Sequence, residues 1–165
     1  MNIFNSSGGR LQPLDTAEQD RLVTRLGELQ DAPDWLGVVA LEREALELAR
    51  ELRGADPGLA SNIHSVLGNG YFSTGDYGRA REMHEQHRAM AEALGDRAGV
   101  ATACGNLGNC YYRTGDYGRA DEKFEQHRAM AEARGALSGV EMECRNLGTR
   151  QNSAADNWSL EEQTS

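Results

Sequence analysis

Asn106 to Glu132 reads NLGNCYYRTGDYGRADEKFEQHRAMAE, and moving it back by 40 residues lays it on an earlier part of the same chain. Leu67-Gly68-Asn69 matches Leu107-Gly108-Asn109. The seven residues Thr74 to Ala80 are identical to Thr114 to Ala120, and the nine from Glu85 to Ala93 are identical to Glu125 to Ala133. A third copy begins at Gly139-Val140 and reaches Cys144-Arg145-Asn146-Leu147-Gly148 before it decays. Self-similarity at a fixed period of roughly 20–50 residues marks an array of stacked units.

Within each unit the apolar positions have helical spacing. Leu67 and Tyr71, like Leu107 and Tyr111, stand at i and i+4 on one helix face. Gly68 and Gly108 each cost a helix about 1 kcal/mol against Ala. A glycine kept twice on an apolar face implies a close approach between two helices. Gly75 and Gly115 suit a left-handed stop after the first helix, and Asp76 and Asp116 suit the N-cap of the next. Each unit is therefore a pair of antiparallel helices, which cannot bury its apolar face without neighbours.

The spacing also carries a family resemblance. Cys104-x-x-Leu107-Gly108-x-x-Tyr111 followed by Ala120-x-x-x-Phe124 resembles the tetratricopeptide pattern, with Cys where Trp is usual. His64-x-x-Leu67-Gly68-x-x-Tyr71 and Ala80-x-x-x-His84 repeat it. HEAT repeats share the period but lack this spacing. The 40-residue period and the Asn-Leu-Gly-Asn box resemble the subclass found in Pins-type modulators of G-protein signalling. The resemblance implies an all-α chain of about seven helices, stacked as a short superhelix.

The expected organisation is a flexible tail over 1–14, a repeat array over 15–150 and an acidic tail over 151–165. The array divides into a degenerate repeat at 15–54, repeats at 57–97 and 98–137, and a cap helix at 138–150. In the degenerate copy, Thr16-x-x-Gln19 has the form of a capping box. Leu22, Val23, Leu26 and Leu29 make one apolar stripe, and a second helix after Pro33 carries Trp35, Val38, Val39, Ala45, Leu46, Ala49 and Leu52. The last copy has lost the aromatic pair after Gly148, and so reads as a solvating end helix.

The 165 residues carry a net charge of −9, which argues against a nucleic-acid partner, because such binding rests on clustered Lys and Arg. No apolar run approaches a membrane span or a signal peptide, so a cytoplasmic location is expected. Cys104, Cys110 and Cys144 form no CxxC pair, and buried thiols are expected of them. His84 and His87 stand at i and i+3 without a third ligand, which favours helix packing over a metal site. Glu82, Glu85, Glu92, Glu122, Glu125 and Glu132 read as solvated outer-face charges. No nucleophile–base set stands out, so neither enzyme activity nor a cofactor is expected.

The resemblance further implies that the first helix of each pair lines a concave face. Its family positions fall on Asn62, Ser65, Val66, Asn69, Phe72 and Ser73 in one repeat. In the next they fall on Thr102, Gly105, Asn106, Asn109, Tyr112 and Arg113, and in the end helix on Met142, Arg145, Asn146 and Thr149. Asn offers both a donor and an acceptor to a peptide backbone. Asn62, Asn69, Phe72, Thr102, Asn106, Asn109, Tyr112, Arg113, Arg145 and Asn146 are the expected contacts for a protein or peptide partner, and the absence of acids among them suits an acidic one. The chaperone-tail clamp of related repeats is matched only at Asn69 and Asn106, since Ser65, Met142 and Asn146 occupy its basic positions. The G-protein-binding motif of Pins-type proteins carries paired Phe, and AADNWSLEEQTS has none. Two alternatives stand beside peptide binding: the Asn box braces the next turn, or the array self-associates weakly through its ends.

Overall fold

The computed structural model describes residues 15–133. They form α1 (Thr16–Asp31), α2 (Trp35–Ala40), α3 (Glu42–Leu52), α4 (Pro57–Thr74), α5 (Tyr77–Leu94), α6 (Arg97–Arg113) and α7 (Tyr117–Ala133). The end helix expected at 138–150 and both expected tails lie outside the described residues.

A Gly-Asp pair punctuates the array every 20 residues. Gly75, Gly95 and Gly115 hold positive φ of 90°, 68° and 79°, a region that side chains with a Cβ avoid. Each following aspartate then caps the next helix: Asp76 accepts from the Arg79 N–H at 3.0 Å, Asp96 from Gly99 at 3.0 Å and Asp116 from Arg119 at 3.2 Å. Asp56 does the same for Leu59 at 2.9 Å, with Pro57 in the first turn, where its missing N–H costs nothing. Stop and start thus occupy two residues, and consecutive helices are forced antiparallel.

Packing runs along the chain, α4 on α5, α5 on α6 and α6 on α7. The first helix of each pair lies between two others, so α4 is buried at Ala60, Ile63, His64, Leu67, Gly68, Gly70 and Tyr71 and α6 at Val100, Ala103, Cys104, Leu107, Gly108, Cys110 and Tyr111. The close approach implied by the repeated glycine is present twice. A Cβ on Gly68 would stand 2.5 Å from the His84 ring, and one on Gly108 would stand 2.5 Å from the Phe124 ring. The second helix lays a flat ring directly on the backbone of the first.

The N-terminal unit differs from expectation in two details. Its capping box is Asp15 with Glu18, one residue earlier than Thr16 with Gln19: Asp15 Oδ1 accepts from the Glu18 N–H at 2.8 Å, and Glu18 accepts from the Asp15 N–H at 3.1 Å. An ionised carboxylate at the N-cap is also the stronger partner for the helix dipole. The second helix is broken at Leu41, where φ −92° and ψ 8° replace helical geometry and the Leu41 N–H bonds to Val38 O at 3.1 Å. The break gives this unit a third short helix. It seats Val38 against Gly70 of α4, and Ala45, Leu48, Ala49 and Leu52 of α3 complete one core with Leu26, Leu29, Ala60, Ile63 and Leu67.

Candidate peptide-binding groove

Asn69 on α4 and Asn106 on α6 are brought together. Asn106 Nδ2 donates to Asn69 Oδ1 at 3.4 Å, so the first helices of successive repeats meet through a side-chain amide bridge. Both residues are half-buried. The bridge uses one donor of Asn106 and one acceptor of Asn69, and the rest of each amide is free for another chain. Of the bracing alternative, the structure shows a form that spans repeats, with the residue 37 positions away as partner.

One end of this face is aromatic. Phe72 meets Tyr77 edge-on with centroids 5.4 Å apart, and Tyr112 meets Tyr117 in the same way at 5.4 Å. The Arg113 guanidinium lies over Tyr77 at 5.1 Å, tying the end of α6 to the start of α5. Phe72 and Arg113 are therefore linked through Tyr77. Such stacking holds Arg113 in place but leaves its N–H edge open to an anion.

Asn62, Thr102, Asn109, Tyr112 and Arg113 are exposed. Thr102 Oγ1 donates to Ala98 O of its own helix at 3.0 Å. Arg145 and Asn146 lie outside the described residues. Sequence reasoning passed over Tyr77 and Tyr117, which flank the expected groove residues. The available signal was their recurrence in the identical Thr-Gly-Asp-Tyr-Gly-Arg-Ala heptad. Arg79 and Arg119 of that heptad stack on Tyr71 and Tyr111, each beside its N-cap aspartate.

The chemistry elsewhere is quiet. Burial pushes the Cys104 thiol up and the Cys110 thiol up to about 11, which disfavours thiolate. The six glutamates expected on the outer face are exposed, with Glu92 paired to Arg88 at 2.9 Å and Glu125 paired to Arg128. Among the described residues no three His, Cys, Asp or Glu side chains are set to hold a metal ion, and no helix is long and apolar enough to cross a membrane.

These features define a class: an α-solenoid of antiparallel helix pairs, stacked in sequence around Leu-Gly boxes. Residues 59–133 are tetratricopeptide repeats, matched over that span by the tetratricopeptide repeat family model. G-protein-signaling modulator 1 of Homo sapiens is 40% identical over 76 residues, which are 46% of this chain and 11% of that protein. The Mus musculus protein of the same name is 38% identical over 76 residues, with the same coverage. The chain thus matches about a tenth of the length of these relatives.

Proposed function

We propose that the chain is a cytoplasmic protein-interaction adaptor whose groove along α4 and α6 takes an extended peptide or a helix of a partner. The likeness to the modulators of G-protein signalling covers 76 residues, and the reading as an interaction module rests on that likeness and on the tetratricopeptide repeat match. The observation that supports the groove is the Asn69–Asn106 bridge flanked by the Phe72–Tyr77–Arg113 stack. It offers amide donors and acceptors for a backbone, a ring surface for an apolar side chain and a held cation for an acidic one. In the 40-residue register, Arg145 and Asn146 are the third copy's counterparts of Gly105 and Asn106. A partner with acidic residues fits best, because no carboxylate belongs to the set.

The test is Asn106→Ala with Asn109→Ala, measured for thermal melting first and then for affinity to the partner that the unmodified chain captures. Each lost hydrogen bond costs about 0.5–1.5 kcal/mol, so binding should weaken roughly tenfold or more. Arg113→Glu should weaken it further, with an effect that shrinks as salt is raised. Full affinity at unchanged stability would remove the groove from consideration. A lower melting temperature with unchanged affinity would leave the amides as braces between repeats. Capture of nothing but further copies of the chain would favour self-association.

A further inference from the structure

Three histidines are buried in the pair formed by α4 and α5. His64 and His87 are 4% exposed and His84 is 1% exposed. His64 Nδ1 lies 2.8 Å from Ala60 O, which gives that ring one partner. His84 Nδ1 and His87 Nδ1 have no hydrogen-bond partner at all. The His84 ring lies against the α4 backbone, where Gly68 makes room for it. A buried imidazole with an unpartnered nitrogen is tolerable as a neutral ring. As an imidazolium it would place an N–H and a charge where nothing receives them.

The surrounding charges do little to help. The groups that act on the three rings are Arg53 at the end of α3, Asp96 at the start of α6, and the rings themselves. Arg53 opposes a proton on His64, His87 opposes one on His84, and His64 opposes one on His87. Asp96 favours one on His87, and the Ala60 carbonyl favours one on His64. Burial is the largest influence in each case, and it lowers all three, His84 to about 4. The second repeat replaces two of the three, with Cys104 at the position of His64 and Phe124 at that of His84.

We propose that the α4–α5 pair is an acid-sensitive link in the array: mild acid loads protons onto His64, His84 and His87, opens this pair and releases the packing of α1–α3 and α6 on it. Asn69 belongs to α4 of that pair and Asn106 to α6, which packs on α5, so the groove comes apart when the pair opens. The loss of binding rests on the groove reading above, and the opening does not.

The sign follows from linkage. A histidine lowered in the folded state binds its proton more readily when unfolded. Its contribution to stability is complete above the unfolded value of 6.5 and is lost as pH falls toward the folded value. With 6.5 and about 4 for His84, the unfolding equilibrium constant at pH 5 should exceed that at pH 7.5 by about thirtyfold from this residue alone.

The experiment is urea unfolding of the full chain at pH 7.5 and pH 5, with the ratio of unfolding constants as the readout, so that any change in baseline stability cancels. The unmodified chain should give a ratio of at least about thirty. His84→Phe, which copies the ring that Gly108 accepts in the second repeat, should bring the ratio down by most of that factor, and His84→Gln should do the same if Phe misfits. His64→Cys should lower it further. A ratio near one in the unmodified chain, or the same ratio in His84→Phe and His84→Gln, would overturn the proposal. A ratio that behaves as expected while peptide affinity is equal at both pH values would retain the acid-sensitive link and fault the groove reading instead.

Discussion

Gly108→Ala tests whether the Leu-Gly box exists for close packing. On an open helix surface this substitution stabilises by about 1 kcal/mol, since Gly is the poorer helix former. Here the new methyl would stand 2.5 Å from Phe124 Cε1 and 2.6 Å from Cδ1. Phe124 is 4% exposed and shares one cluster with Leu107, Tyr111 and Ala120, so a shift of the ring disturbs that packing. Overpacking of this kind costs about 1–3 kcal/mol. Set against the propensity gain of about 1 kcal/mol, this leaves a net loss of up to about 2 kcal/mol. Gly27→Ala is the matched control, because Gly27 is inside α1 with nothing within 4 Å of its added Cβ. It should raise stability by about 0.5–1 kcal/mol. Urea midpoints at constant slope measure both. Phe124→Leu in the Gly108→Ala background should recover part of the loss, and the double-mutant cycle gives the coupling directly. A Gly108→Ala variant that gains stability as Gly27→Ala does would show that the two helices do not meet at this glycine.

Two further outcomes are expected. A fragment beginning at Ala55, without α1–α3, loses the cover over Ile63 and Leu67, which are 3% and 0% exposed in the chain, and should scatter light and melt earlier; an equally stable monomeric fragment would refute the shared N-terminal core. Iodoacetamide at pH 8 should label Cys104 and Cys110 at least ~100-fold more slowly in the native chain than in denaturant, because both thiols are buried and raised, and fast native labelling read by peptide mass would contradict their burial.

The parts of the fold legible from sequence are those the chain states more than once. Gly75-Asp76 and Gly115-Asp116 recur unchanged, and each pair encodes a left-handed stop beside an N-cap, so the helix pairs could be read without coordinates. The break at Leu41 was hidden because the apolar spacing from Val38 to Leu52 continues through it. The residues just before the break, Val38 and Val39, lie against Gly70 of α4, and no local pattern records that contact. The capping box slipped by one residue for a related reason, since Asp15-x-x-Glu18 and Thr16-x-x-Gln19 both satisfy the motif.

The groove shows where repetition stops informing. Spacing places Asn69 and Asn106 on first helices, and the 40-residue copy sets Asn69 against Asn109 and Asn106 against Val66. Yet their partnership joins unlike positions, the Asn after Leu-Gly in one repeat to the Asn before Leu-Gly in the next, across 37 residues. Laying copy on copy aligns Asn69 with Asn109, and so conceals a bond that exists only between copies. The Arg113–Tyr77 stack is of the same kind, since it joins the end of one repeat's first helix to the start of the preceding repeat's second. An array's binding face is built from such offsets. They depend on how each pair sits against the last, which no single copy records. Gly68 admits an imidazole and Gly108 a phenyl, so the two junctions that a sequence alignment equates differ in packing and in their response to protons.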